Sequence, residues 1–185
     1  MAKTSTDRSD RRSRSRGGSD PAAALKGRRF GRVLTKLGKI TRDQVHEALR
    51  IQRSRRDKGE RDQIGKILVE MGYIEEMDIL EALSGQAGMQ FMRLEADEHD
   101  TSLAEQLPAE TANTYQIVPV EHDAGSRTLT IAMKSPDNFR AVDDLRLLMG
   151  FTVKAVVAPE AEIDEVLEKL YGKGDASMMD VMAQM

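Results

Sequence analysis

Few side chains of this chain are of the types that carry out covalent chemistry, and their spacing does not assemble a reactive centre. The sequence has no cysteine, which excludes disulfides, thiolate metal sites and thiol nucleophiles. Its three histidines, His46, His99 and His122, lack the regular spacing of zinc ligands. The phosphate loop G-x-x-x-x-G-K-[ST] and the nucleophile motif G-x-S-x-G are also missing. The sequence therefore predicts a protein that is not an enzyme, with no metal site and no required cofactor.

Two glutamines are the polar residues with the most regular placement. Gln52 lies one helical turn after Leu49, and Gln86 lies one helical turn after Leu83, so each glutamine follows a leucine at the same spacing. A side-chain amide offers both a donor and an acceptor to a polar ligand. The pattern indicates two equivalent polar positions in one chain.

Gly31 and Gly65 are separated by the same interval as the two glutamines, and each falls early in an apolar pattern of helical spacing. Glycine inside a helix costs about 1 kcal/mol relative to alanine. That cost is understandable where another group must approach the backbone closely. Together with the glutamines, the glycines predict two tandem sites for a ligand with two similar halves. The competing interpretation is that these four residues only support a helical bundle.

All four residues lie in a segment that the sequence contains twice. Residues 30–52 align with residues 64–86 with eight identities in 23 positions. Apolar residues at helical spacing predict, in each copy, a short helix, a turn at an internal glycine (Gly38 in the first copy) and a longer helix. Thr41 and Gln44 have the pattern of a capping box for the longer helix. A tetratricopeptide array has the same period, but its aromatic and proline positions are missing here.

The second half of the chain changes from helical to alternating patterns. Residues 115–121 and 127–133 alternate as strands do, with the turn sequence HDAGS between them. An amphipathic helix over 138–149, a strand over 151–158 and a final helix after Pro159 give the order β-β-α-β-α. We therefore expect an α+β fold, in which a duplicated helix-turn-helix unit precedes a small sheet covered by helices.

The composition divides the chain into four segments. Residues 1–29 carry nine basic and three acidic residues, whereas the whole chain has a formal charge of −3, so a basic tail precedes an acidic body. The expected segments are a disordered basic tail (1–27), the duplicated helical motif (28–95, with copies at 29–52 and 63–86), a small α/β part (96–172) and a linker or C-terminal tail (173–185).

The role of the basic tail stays open between two interpretations. It could make electrostatic contact with nucleic acid or an anionic membrane, or it could be a solubilising leader. The acidic body weighs against a large phosphate footprint, so we do not expect nucleic acid to be the partner. No apolar run approaches the ~20 residues that cross a bilayer, so any membrane contact is expected to be peripheral.

The repeated motif resembles that of a known family. It is similar to the R-L-G-x-x-L…G…L-x-x-A-L-x-x-Q motif of MshEN-type domains, the N-terminal domains of type II secretion and type IV pilus assembly ATPases. The residues that carry the likeness are Arg29, Phe30, Gly31, Leu34, Gly38, Ile40, Val45, Ala48, Leu49 and Gln52. Residues 63–86 resemble the second copy of the motif. The likeness continues through LTIAMKSP and DDLR and covers roughly residues 28–172.

The resemblance implies cyclic di-GMP as a regulatory ligand, with one motif for each half of the dinucleotide. It assigns Arg29, Gly31, Leu49 and Gln52 to one half, and Gly65, Leu83 and Gln86 to the other. Gln63 stands where the family has a second arginine. Glutamine keeps some hydrogen bonding but loses the charge and the stacking plane of arginine. The spacer over residues 53–62 is also longer than the family's usual spacer.

The resemblance further implies a non-catalytic regulatory and docking module of a type II secretion or type IV pilus assembly machine. Its expected partners are the ATPase or an inner-membrane platform protein. Its expected location is the cytoplasm, with recruitment to the inner membrane face as a further option. The alternative is a purely structural protein–protein adaptor with a degenerate nucleotide site. The chain stops where a linker to the ATPase would begin, so we expect either a standalone protein or a piece of a longer ATPase.

Overall fold

A computed structural model gives the structure of residues 21–150 and 152–172, which form a helical part and a sheet part. The helical part consists of two pairs, each with a short helix followed by a longer one. These helices are α1 (Phe30–Lys36), α2 (Arg42–Asp57), α3 (Ile64–Glu70) and α4 (Glu76–Ala87). The two short helices have equal lengths, and in both pairs the helices begin at equivalent positions of the repeated segment.

Each short helix ends at a glycine in the left-handed region. Gly38 has a φ of +74°, and its N–H donates to the Thr35 carbonyl at 3.2 Å. The Lys39 N–H donates to the Leu34 carbonyl at 3.0 Å, which completes a Schellman motif. The turn that the sequence predicts at Gly38 is therefore confirmed. Gly72 has a φ of +73° and ends α3 in the same way.

The longer helices begin at residues whose side chains satisfy free backbone groups. At α2, Thr41 Oγ1 accepts from the Gln44 N–H at 3.3 Å, and Gln44 Oε1 accepts from the Thr41 N–H at 2.8 Å. This is the predicted capping box. At α4, Asp78 replaces the glutamine and accepts from the Glu75 N–H at 2.9 Å.

The two helical pairs pack across one another. α1 packs mainly against α4, and α2 mainly against α3. Between them lies a helical core whose fully or nearly buried members are Val33, Leu34, Ile40, Ala48, Ile67, Leu68, Ile74 and Ala82. Equivalent positions of both pairs supply this core, so each pair needs the other to bury its apolar face.

The sheet part is a mixed four-stranded sheet. Its strands are β1 (Gln90–Phe91), β2 (Ile117–Asp123), β3 (Thr128–Met133) and β4 (Thr152–Val157), in the order β1-β4-β3-β2. β2 and β3 pair antiparallel, whereas β4 runs parallel to both β3 and β1. The helices of this part are a 3-10 helix (Thr101–Gln106), α5 (Ala109–Tyr115), α6 (Phe139–Met149) and α7 (Glu160–Tyr171).

The sheet part has its own apolar core, and α4 connects it to the helical core. Ile131, Val157 and Ile163 are fully buried there. Leu80 of α4 packs against this second core, whereas Ala82 of the same helix belongs to the helical core. The α+β class and the β-β-α-β-α order are confirmed. The sequence missed β1, which has only two residues.

Residues 21–27 differ from the sequence-based expectation, which placed them in the basic tail. Ala22 is buried, and Leu25 packs against the helical core. The Gly27 N–H also donates to the Gln86 carbonyl at 2.9 Å. The expected tail boundary at residue 27 is therefore corrected, because these residues cover the last turn of α4. The expectations for residues 1–20 and 173–185 lie outside the described residues.

Within residues 21–150 and 152–172, no helix is both long enough and apolar enough to cross a bilayer.

Candidate ligand site on the helical pairs

The Gln86 side chain reaches from α4 to the start of α1. Its Nε2 donates to the Arg28 carbonyl at 2.9 Å, and its backbone carbonyl accepts from the Gly27 N–H at 2.9 Å. Arg28 directly precedes Arg29, the N-cap residue of α1. Gln86, which belongs to the second helical pair, therefore lies beside the start of the first pair, where the motif begins at Arg29.

Gln52 makes the corresponding contact in the opposite direction. Its Nε2 donates to the Asp62 carbonyl at 3.0 Å. Asp62 directly precedes Gln63, the N-cap residue of α3, and is the equivalent of Arg28 when the two copies are aligned. The two glutamines thus make reciprocal contacts between the pairs.

These contacts cross between the two sequence copies. The sequence-based grouping joins Gln52 with Arg29, whereas the structure places Gln52 beside Gln63 and Gln86 beside Arg29. The physical reason is the crossed packing of the helices, since the end of each long helix lies against the short helix of the other pair. We call these the first half-site (Arg29 with Gln86) and the second half-site (Gln63 with Gln52).

A second reciprocal contact lies just after each glycine turn. Lys39 Nζ lies 2.9 Å from Glu81 Oε2, and it also pairs with Asp78 at 2.8 Å. In the other pair, the Tyr73 hydroxyl donates to Glu47 Oε2 at 2.8 Å. The hydrogen bonds that Lys39 donates to Asp78 and Glu81 raise the pKa of Lys39, and the bond that Tyr73 donates to Glu47 raises the pKa of Tyr73. The identical glutamates at 47 and 81 therefore have the same role in holding the pairs together.

The two motif glycines face the inside of the bundle. A Cβ at Gly31 would lie 2.9 Å from Val45 Cγ1, and a Cβ at Gly65 would lie 3.3 Å from Ile79 Cδ1 and 3.4 Å from the Phe30 ring. The close approach that requires glycine is therefore the approach of one helix to another. Helix packing alone explains the residue type at both positions, without a ligand.

The first half-site carries several basic side chains. Arg29 is exposed, and Arg28 lies just before it. Arg32 and Lys36 follow on α1 at intervals of four residues from Arg28. Arg28 donates from Nε to the Ala24 carbonyl at 2.7 Å. Within residues 21–150 and 152–172, no acidic side chain forms an ion pair with any of these four cations. Their charge is available to an anion.

The second half-site has cations that are already paired. Arg55 contacts Asp62 through Nη1 and Glu70 through Nη2, both at 2.7 Å, and Lys66 Nζ lies 3.1 Å from Asp62 Oδ1. Hydrogen bonds from Arg55 and then from Lys66 lower the pKa of Asp62. The bond to Glu70 and then the bond to Asp62 raise the pKa of Arg55, and the bond to Asp62 raises the pKa of Lys66. Asp62, Arg55 and Lys66 are therefore charged at neutral pH.

The two motif leucines differ in surroundings. Leu83 is 39% exposed and lies in an open groove of about 490 Å³ between α3 and α4. The other residues that line this groove are Lys66, Val69, Glu70, Glu76, Ile79 and Leu80. Leu49 is half-buried on α2. The groove offers an apolar floor beside the second half-site.

The candidate site residues could be proposed from the sequence, but the groups that hold their side chains in place could not. The sequence did not indicate the carbonyls of Arg28 and Asp62 as partners of the glutamines, nor the pairing of Arg55 with Asp62. One feature of the sequence does indicate this difference between the copies. When the two copies are aligned, the basic Arg28 and Lys36 stand opposite the acidic Asp62 and Glu70. Over the described ranges, no group of three or more His, Cys, Asp and Glu side chains could hold a metal ion.

Comparison with known proteins gives the family. Residues 87–177 match the MshEN domain. Residues 87–177, about half of the chain, are thus an MshEN domain. The family expected from the motif residues is therefore confirmed.

Relatives of this MshEN-type chain are much longer than the chain itself. It is 33% identical over 154 residues to the type IV pilus assembly ATPase PilB of Myxococcus xanthus, covering 83% of this chain and 26% of that protein. It is 30% identical over 183 residues to PilB of Thermus thermophilus, covering 80% of this chain and 20% of that protein. The chain thus spans about a quarter or less of the length of these relatives.

A solved structure of MshE with cdg (cyclic di-GMP) has a similar fold. The TM-score is 0.53 at 22% sequence identity, and the match covers 78% of this chain and 99% of that chain. At this sequence identity, the structural similarity shows that the two chains share a fold.

Proposed function

We propose that this MshEN-type chain is a regulatory and docking module of a type II secretion or type IV pilus assembly machine, and that cyclic di-GMP is its ligand. The module has no catalysis of its own. Support for the machine comes from the family and from the two PilB relatives. Support for the ligand comes from the similar fold of MshE, whose structure was solved with cdg.

The observation that carries the proposal is the bond from the half-buried Gln86 amide to the carbonyl of Arg28, the residue directly before the exposed Arg29. A guanidinium group can stack on a guanine or donate to its O6 and N7 atoms, and unpaired guanidinium groups also bind phosphate. Because Gln86 Nε2 is bonded to the Arg28 carbonyl, the orientation of the amide is fixed. Its Oε1 then remains as an acceptor for a donor on the ligand.

The docking role follows from the way the two parts are joined. α4 contacts both apolar cores, and Gly88 and Met89 lead from its end directly into β1. A ligand held at Gln86 would therefore act on the helix that joins the helical part to the sheet. Such a ligand can shift the arrangement of the parts only if it binds one arrangement more tightly. The proposed partners are the ATPase and the inner-membrane platform protein, and the proposed location is the cytoplasm at the membrane face.

Calorimetric titration with cyclic di-GMP tests the proposal. Arg29→Ala removes an exposed guanidinium that has no ion pair in the described residues, so the fold should be unaffected. The matched control is Arg140→Ala, which removes an exposed guanidinium from α6 in the sheet part. We expect micromolar or tighter binding by the wild type and the control, and loss of binding in Arg29→Ala. Absence of heat from the wild type would rule out the ligand.

A structural adaptor is the second candidate, and the glycines favour it. Gly31 and Gly65 fit against Val45 and Ile79, so their residue type is explained without a ligand. In this case the helical pairs serve only as a frame for a protein partner. Co-sedimentation with the purified ATPase or platform protein, in the absence of any nucleotide, would support the adaptor over the ligand-binding module.

A further inference from the structure

The two half-sites have the same frame, but the first is basic and the second has paired charges. The first half-site is bordered by Arg28 and Lys36, and the equivalent positions in the second half-site are Asp62 and Glu70. Both half-sites keep the bond from a glutamine Nε2 to the carbonyl of the residue before the N-cap. The geometry of the backbone is therefore shared, while the side chains on it have diverged.

This difference in side chains changes how strongly each half-site would bind an anion. A phosphate of cyclic di-GMP that approached the second half-site would have to compete with Asp62 and Glu70 for Arg55 and Lys66. Those bonds are short, with Arg55 at 2.7 Å from both carboxylates. The phosphate would also be repelled by the two carboxylates themselves. At the first half-site, Arg29 and Arg32 are exposed and have no acidic partner in the described ranges.

The N-cap residues add to the same difference. Arg29 carries a charge and a planar stacking surface, whereas Gln63 carries only a neutral amide. The groove beside the second half-site instead offers apolar surface from Ile79, Leu80 and Leu83. That groove can cover the face of a base without contributing charge.

We propose that the two half-sites bind unequally, in a way that rests on the proposed function: the first half-site binds the phosphates and one guanine, and the second only covers the other base. The ligand is thus anchored at Arg29, Arg32 and Gln86. The paired charges around Asp62 keep the second half-site from holding phosphate.

Matched substitutions at the two N-cap positions test this proposal. Arg29→Gln gives the first half-site the residue that the second already has, and Gln63→Ala removes the equivalent side chain from the second. Calorimetry with cyclic di-GMP should show roughly tenfold or greater weakening for Arg29→Gln, the size expected from one charged hydrogen bond. The weakening for Gln63→Ala should be less than about threefold by the same scale.

A gain-of-binding variant tests the role of the paired charges. Asp62→Asn should free Lys66 from its shorter ion pair and leave Arg55 paired with Glu70 alone. Binding should strengthen by up to about threefold, the factor that an exposed pair is worth. The bond from Gln52 is kept because it uses the Asp62 backbone carbonyl. Glu60→Gln is the matched control, since it removes one exposed negative charge nearby without breaking an ion pair.

The outcomes separate this inference from the proposed function. If the wild type shows no binding, both the ligand and the unequal half-sites are overturned. If the wild type binds and Arg29→Gln and Gln63→Ala weaken binding equally, only the unequal half-sites are overturned. If Asp62→Asn changes affinity no more than Glu60→Gln does, the paired charges do not limit the second half-site. Circular dichroism of each variant confirms that lost binding is not lost folding.

Discussion

The pair α1–α2 and the pair α3–α4 make the same internal contacts but present different surfaces. Inside the bundle, Leu34 and Leu68 are both fully buried, and Gly38 and Gly72 have nearly the same φ. At the surface, α1 is basic and has no ion pair within the described ranges, whereas α3 is part of a network of ion pairs. Core packing therefore constrains the backbone and the buried residues of both pairs, whereas the exposed positions can carry different charges.

The largest expected loss of stability comes from shortening a leucine in the core that both pairs share. Leu34→Ala and Leu68→Ala each remove a fully buried leucine, and each should lower the free energy of unfolding by about 2–5 kcal/mol. We expect similar losses because the two side chains occupy equivalent positions. Urea denaturation measures both, with Leu148→Ala, at 71% exposure, as the control. If one core variant keeps wild-type stability, the pairs do not share one core.

A smaller effect is expected at the glycine turns. Gly38→Ala and Gly72→Ala place a Cβ in open space but at positive φ, so the cost is backbone strain of about 1–2 kcal/mol. Thermal unfolding should show the same decrease in melting temperature for both. Asparagine tolerates this conformation better, so Gly38→Asn should lose less than Gly38→Ala. Equal losses for the asparagine and alanine variants would argue against strain as the cause.

Substitution of the two glutamines should change stability by similar amounts and ligand binding by different amounts. Gln52→Met and Gln86→Met each remove one hydrogen bond to a backbone carbonyl, which should cost about 0.5–1.5 kcal/mol of stability. The two losses should be similar. Affinity for cyclic di-GMP, by contrast, should fall mainly for Gln86→Met. Equal losses of affinity would show that the half-sites are equivalent.

The smallest expected effect is the part of the pH dependence of stability that comes from Asp62. Bonds from Arg55 and Lys66 lower the pKa of Asp62 below 3.8, so folding favours the ionised carboxylate. Its contribution to stability is fully present above the unfolded-state pKa and is lost as the pH falls through the lower, folded-state value. Asp62→Asn should therefore flatten the stability profile below about pH 4. The profile is measured by urea denaturation at several pH values. The same flattening in Glu60→Gln would assign the effect to net charge.

Local features of the fold could be predicted from the sequence. Gly38 and Thr41 identify their turn and cap because the chemistry of each acts within a few residues. The alternating strands and the helix before Gly150 were identified for the same reason. β1 could not be found, since a strand of two residues is too short to show a period.

The site was less predictable, because its contacts join distant parts of the chain. Gln86 meets Arg28 only after α1 has packed on α4, and no local pattern encodes that crossing. The sequence therefore did not indicate that Gln52 contacts the residue before the short helix of the other copy. It also assigned the glycines to a ligand, since the nearness of Val45 to Gly31 is visible only in the folded chain.

The crossed packing has a consequence for how such a segment can change over generations. Since each short helix rests on the long helix of the other copy, losing either copy would expose the apolar side of what remains. The doubled segment must be inherited as a whole. Yet residues 28 and 62 lie at equivalent places and carry opposite charges. The surface charge of one copy can therefore change without the other, on a scaffold that cannot itself be halved.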